Sequence, residues 1–329
     1  MKKIFVTGPD GLLGSNLVRE LIARGYEVKA MIQPRRTPET LKGLKIEQVA
    51  CDLLDGEKLV EISAGSDAII HVAALTAVWP SRGDIFHKVN VEGTRNVAKA
   101  ALVNKVERFI YVGSASSYGF GSIENAGTEE SPYQSAKYGL DYIDTKRQAQ
   151  LEVMEMVEKK GLPGLVVNPT FMIGPYDSKP SSGAMIVAAA KGSIPSYTGG
   201  GKNWVAVKDV ANGICNALTM GRIGQAYILG GENLSYKDAL SRICKTVGKP
   251  APGFRAPDFL VKFAGRMGSL FGNISGKAPK LSYPMAWIAC DGHYFSPQKA
   301  IEELNLPQTP LETAVNDAYQ WFKENAYLD

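Results

Sequence analysis

Cysteine is scarce and scattered. Cys51, Cys215, Cys244 and Cys290 are the only four in 329 residues, and no two stand at C-x-x-C spacing. That argues against a disulfide framework or a cysteine zinc site and leaves buried, reduced thiols. Histidine is scarcer: His71, His87 and His293 are isolated, and their spacing supports no metal site. His71, inside an apolar run, reads as a packed strand-end histidine. Long hydrophobic runs are missing too. AMIVAAA (184–190) is far below membrane-spanning length, and IFVTG after Lys2–Lys3 is too short for a signal-peptide core. Charge of one sign is also lacking: the net charge is +4, with no basic stripe interleaved with aromatics. Neither nucleic acid nor an acidic membrane surface is therefore expected as a partner. A soluble cytoplasmic protein is the default, and 45% apolar with 21% charged residues suits an ordinary globular chain.

What is present is a rhythm. IFVT (4–7), EVKAMI (27–32), IEQVA (46–50), AIIHVAA (68–74), RFIYVGS (108–114) and LVVN (165–168) read as strands. Helical segments are expected near 12–24, 84–104 and 135–160. Such alternation implies an α/β fold, a doubly wound parallel sheet of Rossmann type. After Pro169 the rhythm loosens, with a strand at AYIL (226–229) and helices near 236–247, 257–271 and 310–325. The expected division is residues 1–170 as a dinucleotide-binding domain and 171–329 as mostly a substrate lobe, with part of 203–230 returning to the first.

TGPDGLLG (7–14) joins the first strand to the first helix. Of Gly8, Gly11 and Gly14, one permits a tight turn, one lets a phosphate approach the backbone, and one lets helix and strand pack closely. The helix N-terminus then offers free N–H groups to a pyrophosphate. The second strand ends MIQPRRTPET, with no carboxylate before Glu39. An acid there would suit a ribose 2′-hydroxyl; Arg35 and Arg36 suit a 2′-phosphate, so NADP is expected over NAD, which stays possible. TGGGKN (198–203) lacks the residues of a phosphate loop and reads as a turn.

YQSAKYGLDYIDTK (133–146) contains tyrosine four residues before lysine twice: Tyr133 with Lys137, and Tyr142 with Lys146. At that spacing the two side chains share a helix face. Gly139 interrupts the first pair, whereas RQAQLEVMEMVEKK runs on unbroken after Lys146. A helix starting after Gly139, capped by Asp141, would carry Tyr142 and Lys146 in its first turns.

TGxxGxxG resembles the fingerprint of the extended short-chain dehydrogenase/reductases. CDLLD (51–55), HVAA (71–74), VNVEGTRNV (89–97), NPTFMIGP (168–175) and GRIGQAYILGGENLSYKDAL (221–240) resemble that family in the same order, the last stretch its dihydroflavonol-reductase-like members. The resemblance implies a Ser-Tyr-Lys site. YIDTKRQAQ resembles the family's Y-x-x-[ST]-K segment, which assigns Tyr142 as proton donor or acceptor and Lys146 as the cation that lowers the phenol pKa and holds the cofactor ribose. Tyr133 and Lys137 are the alternative pair. VGSASSYG maps the catalytic hydroxyl to Ser114, with Ser116 and Ser117 next, and Asn90 is a candidate support for a water chain to Lys146. The implied cofactor contacts are Thr7, Gly8, Asp10, Gly11, Leu12, Leu13 and Gly14; Gln33, Arg35 and Arg36; Asp52 and Leu53; Val72, Ala73 and Ala74; and Asn168, Pro169 and Thr170.

The residues Ala–Ser–Ser after Ser114 disfavour a dehydratase, which places an acid pair there. Reversible carbonyl reduction with NADPH on a moderately apolar substrate is expected, with Thr76, Trp79, Phe120, Met172 and Tyr176 as candidate pocket residues. An NAD-dependent sugar-nucleotide epimerase is one alternative, and a non-catalytic dinucleotide sensor, which would lose the Tyr–Lys pair, is another. The resemblance also suggests a homodimer through the helices near 84–104 and 135–160. The lobe departs from the family pattern at WVAVKDVA (204–211), where Asp209 is kept but Ala206 stands for a histidine.

Overall fold

In each central strand, alternate side chains face opposite layers of helices, and the computed structural model, which describes residues 2–328, follows that period of two. β1 (Lys3–Thr7), α1 (Leu12–Ala23), β2 (Glu27–Ile32), β3 (Glu47–Ala50), α2 (Gly56–Ser63) and β4 (Ala68–His71) keep the expected alternation. The next helical stretch is interrupted: α3 (Asp84–His87), a π turn over Lys88–Glu92 and α4 (Gly93–Val103) succeed one another in helical backbone. β5 (Arg108–Val112), α5 (Asp141–Lys160) and β6 (Gly164–Pro169) complete the first half.

The second half contributes β7 (Phe171–Ile173), α6 (Ala184–Ala190), β8 (Gly201–Ala206), α7 (Val207–Ala217), β9 (Ala226–Leu229) and β10 (Glu232–Ser235). It ends with α8 (Tyr236–Thr246), α9 (Asp258–Ser275), α10 (Tyr283–Cys290), β11 (Gly292–His293), α11 (Gln298–Leu304) and α12 (Leu311–Glu324).

Seven parallel strands form the main sheet in the order β3-β2-β1-β4-β5-β6-β9. Chain order reverses direction between β1 and β4, the point where α/β sheets open a ligand crevice. Ile4, Val6, Ile70, Ile110 and Val167 pack beneath α1, α7 and α11, while Phe5, Ile69, Phe109 and Val166 face α2, α4 and α5. A smaller sheet is built on β8, with β10 antiparallel on one side and β7 and β11 parallel on the other. These short strands escape the sequence reading. TGGGKN, read there as a turn, runs into β8 from Gly201.

One local expectation holds and one changes. The helical stretch near 135–160 breaks where Gly139 predicts: a 3₁₀ turn at Ser135–Tyr138 ends at Gly139, which is left-handed (φ +64°), and α5 begins after Leu140. Asp141 is the first helical residue rather than the cap. Its carboxylate accepts the Gly83 N–H (2.7 Å) and pairs with Arg82. Near the helix N-terminus that charge also suits the dipole.

Asp209, the acid kept from the family pattern, has a structural task. It is buried and accepts both the Thr309 N–H (2.6 Å) and the Thr309 hydroxyl (2.8 Å), fixing the entry to α12. Asp209→Ala leaves those donors buried and unpaired, and is expected to lower stability by about 2–3 kcal/mol in urea unfolding.

Candidate functional site

All the stretches singled out for the cofactor end on one edge. Thr7–Gly14 follows β1, Gln33–Arg36 follows β2, Asp52–Leu53 follows β3 and Val72–Ala74 follows β4, with Ser114 just past β5 and Asn168–Thr170 at the end of β6. Parallel pairing puts every one of these carboxyl ends on the same side.

The glycine turn divides its work as its spacing suggests. Gly8 is left-handed (φ +64°), and a Cβ on it would lie 2.7 Å from the Ala73 backbone across the crevice. A Cβ on Gly14 would sit 2.0 Å from the Gly8 carbonyl oxygen, so only glycine lets the helix close onto the turn. Gly11, the residue before α1, is different: a Cβ there would meet only the Gly8 oxygen, at 3.9 Å. Open space over a helix N-terminus is what a pyrophosphate requires. The cradle therefore fits a dinucleotide. Beyond β2, Gln33, Arg35 and Arg36 are exposed, and Arg36 lies 3.4 Å from Asp10.

A buried run of hydrogen bonds ties this crevice to α5. The Ala73 N–H donates to Thr7 Oγ1 (3.2 Å), and Thr7 Oγ1 meets His71 Nδ1 at 2.7 Å. His71 Nε2 meets Thr94 Oγ1 at 3.0 Å, and that hydroxyl donates to the Asn90 carbonyl (2.6 Å). The donors run in one direction only if His71 is neutral with its proton on Nε2. Burial holds it so, pushing its pKa down to about 3, with Lys146 adding to the effect. His71 is thus the packed strand-end residue expected. Asn90, inside the π turn, accepts the Leu75 N–H (2.7 Å) and donates to the Leu75 carbonyl (3.1 Å) and to Thr145 Oγ1 (3.0 Å). Its side chain clamps the loop after β4 to α5, with its amide engaged at both ends.

On α5, Tyr142 and Lys146 stand one turn apart. Tyr142 is half-buried, and the Ser114 hydroxyl is near enough to draw its phenol pKa down. Ser114 Oγ also accepts the Ser116 N–H (3.3 Å), and the Ser114 N–H donates to buried Asn168 (2.9 Å). Lys146 is buried; it donates to the Val112 carbonyl (2.6 Å) and lies 4.4 Å from the centre of the Tyr111 ring. Burial dominates both titrating groups. It raises the Tyr142 phenol above its ordinary value, with Ser114 opposing, and pushes Lys146 down to about 7. The expected lowering of the phenol by the ammonium is not what this arrangement yields, because the cation is directed at a backbone carbonyl and a ring.

The alternative pair is split up. Tyr133 lies ahead of the 3₁₀ turn and donates to Asp144, while Lys137 pairs with Asp291 at 2.7 Å. Each is held by its own carboxylate. Among the proposed pocket residues only Phe120 joins the cluster that Tyr142 packs against, with Val78, Tyr138 and Trp287. Met172 joins the core beneath the main sheet, and Tyr176 lies under Arg19 (3.7 Å) and beside Trp321. Trp79 meets Gly272 of α9, and Thr76 is exposed.

One group of residues had no sequence signal. His293, taken above as isolated, is buried against Phe120, with ring centres 4.2 Å apart. Its Nε2 meets the Tyr138 hydroxyl at 3.0 Å, and that hydroxyl donates to Asp291 (2.6 Å). Nearby Lys202 has its pKa lowered to about 8 by burial. Tyr138 and His293 are 155 residues apart, so only the fold assembles this wall.

The sequence matches the NAD dependent epimerase/dehydratase family over residues 4–230. The chain belongs to that family. As an extended short-chain dehydrogenase/reductase it is an NAD(P)-dependent oxidoreductase, and its α/β fold is the one expected. A protein of Synechocystis sp. named "Putative dihydroflavonol 4-reductase" is 33% identical over 98% of this chain and 95% of its own length. "Sterol demethylase protein B" of Methylococcus capsulatus is 28% identical, covering 98% of this chain and 99% of its own. The crystal structure of gox2253 superposes with a TM-score of 0.87 at 31% identity, covering 100% of both chains. Among the described residues no helix is long and apolar enough to cross a membrane.

The buried lysine gives a test by pH. Unfolded lysine titrates near about 10.4, so between about 7 and 10 the unfolded chain binds the extra proton and stability rises with pH. Lys146→Met is expected to flatten that rise by roughly one proton's slope, read from urea midpoints across the range. Lys202, lowered in the same direction, supplies the part that remains.

Proposed function

We propose that this enzyme reduces a ketone on an apolar, ring-containing small molecule, using NADPH, with Tyr142 as proton donor. The observation that carries the reading is Tyr142 one helical turn before Lys146 on α5, with Ser114 just past the carboxyl end of β5 and near enough to act on the phenol. A bound reduced nicotinamide supplies the hydride that reaches the carbonyl carbon. The chain supplies the rest. The Tyr142 phenol gives its proton to the oxygen that becomes the alcohol. Its raised pKa keeps it protonated near neutrality, which is the form a reduction consumes. The Ser114 hydroxyl donates to the same oxygen and stabilises its growing negative charge. Lys146 holds the nicotinamide ribose. Thr7–Gly14 holds the pyrophosphate, and Arg35 with Arg36 grips a 2′-phosphate.

Support for an apolar substrate comes from the apolar cluster that Tyr142 joins, which includes Val78, Phe120, Trp287 and Ile288. The relatives named for a dihydroflavonol and a sterol agree with that class. Support for NADPH comes from the two exposed arginines and the lack of any acid between Ile32 and Glu39.

A screen of NADPH oxidation against aromatic and polycyclic ketones tests the chemistry. On the substrate found, Tyr142→Phe is expected to lower kcat roughly 10²–10⁴-fold, the usual worth of a placed acid. Tyr133→Phe should stay near the parent rate; loss in Tyr133→Phe alone would overturn the assignment. The cofactor preference has a separate test. Replacing Arg35 and Arg36 together by alanine should raise KM for NADPH roughly tenfold or more while leaving KM for NADH nearly unchanged.

A further inference from the structure

Helix α9 is packed inside out. Its inner face is made of glycines: a Cβ on Gly265 would lie 2.4 Å from the Ala286 methyl group, one on Gly268 2.2 Å from the Leu281 carbonyl oxygen, and one on Gly272 2.7 Å from Trp79. Its bulky apolar residues point the other way. Phe259, Phe263, Leu270 and Ile274 recur at intervals of four, seven and four, one side of a helix, with Leu260 and Phe271 beside them. Phe259 is 70% exposed, Phe263 and Phe271 each 62%, and Ile274 75%. With Phe254 just ahead, this segment carries seven of the fourteen large apolar side chains exposed among the described residues. A contiguous exposed patch of this kind marks a surface that meets something.

The charges around it say what. Between Lys249 and Lys280 the chain carries six basic residues (Lys249, Arg255, Lys262, Arg266, Lys277 and Lys280) and one acid, Asp258. Asp258 is already paired with Arg255. The segment's charge of +5 exceeds the +4 of the entire chain, so the remainder is close to neutral. The modest overall charge, from which no acidic-surface partner was expected, conceals this concentration. Lys262 and Arg266 flank the stripe, each near an aromatic ring of α10: Trp287 at 5.3 Å and Tyr283 at 5.2 Å. An apolar stripe edged by cations is how a helix lies in a lipid interface, apolar face in the acyl boundary and cations at anionic headgroups.

We propose that α9 docks this enzyme on an anionic lipid surface. A second copy of the chain is a poorer occupant. A two-fold interface sets the same patch against itself, which would bring the cations of both copies together. Two cations on its flank and a length of 18 residues make α9 a helix that lies on a bilayer rather than one that crosses it.

The experiment is co-sedimentation of the full chain with vesicles of phosphatidylcholine alone or mixed with phosphatidylglycerol, in low and high salt, beside analytical ultracentrifugation without lipid. Binding to the mixed vesicles alone, weakened by salt, is the expected result. Phe259→Gln with Phe263→Gln, and separately Lys277→Glu with Lys280→Glu, are each expected to weaken it roughly tenfold or more. These side chains are exposed, so far-UV circular dichroism should show both variants folded. The proposal is overturned by no binding to the mixed vesicles, by variants that bind as the parent does, or by a lipid-free dimer that the phenylalanine changes dissolve. Vesicle binding is read without substrate, so its failure leaves the ketone-reductase reading standing, and the reverse holds.

Discussion

The site depends on the buried polar run from Ala73 to Thr145. It starts at the crevice between β1 and β4 and passes through Thr7, His71 and Thr94 to the π turn at Asn90. From Asn90 it reaches Thr145, the neighbour of Lys146. Each partner is buried or nearly so, where an unpaired polar group costs about 1–3 kcal/mol. The run therefore has one low-energy arrangement. That arrangement sets the distance between the glycine turn and the first turns of α5. A neutral His71 suits this role, since a proton on both nitrogens would leave Thr7 with no hydrogen-bond acceptor on the ring.

Burial then acts on the two titrating groups in opposite senses. It favours the uncharged form of each, which raises a phenol and lowers an ammonium. The Tyr142 phenol holds its proton more firmly, and Lys146 is brought to about 7, where its charge state responds to small changes in surroundings. The family resemblance implies two tasks for Lys146, Coulombic assistance to the phenol and a hold on the cofactor ribose, and the first takes no account of the lysine's own burial. The fold shows why that is incomplete: a lysine sunk beneath β5 is desolvated itself, and its closest oxygen belongs to Val112.

Legibility from sequence follows the range of the interactions involved. The six strands of the first half and the glycine turn were readable because each is a local pattern, a short β-branched run or a fixed glycine spacing. The break before α5 was readable from Gly139, since a left-handed residue ends a turn. Asp141 was misassigned because its partners, Gly83 and Arg82, lie more than fifty residues earlier. The four strands of the small sheet span two to six residues, too few for a period to emerge, and β8 opens on glycine. The Tyr138–Asp291–His293 wall joins ends of the chain that no spacing rule connects.

The outward apolar face of α9 was illegible for a related reason. Hydrophobic periodicity identifies an amphipathic helix but not which way it turns, and the usual assumption is that the apolar side faces in. Here the glycines decide. Only a face without side chains lets α9 approach α10 and Trp79 so closely, so the phenylalanines are forced out. α10 in turn packs its Ile288 and Trp287 into the cluster that holds Tyr142. One helix thus separates the exposed stripe from the residues proposed to bind an apolar ketone. A molecule poorly soluble in water is concentrated in a bilayer, and an enzyme lying on that bilayer through α9 would meet it there. On those two proposals, the inverted helix and the apolar cluster beside Tyr142 would answer to one substrate property.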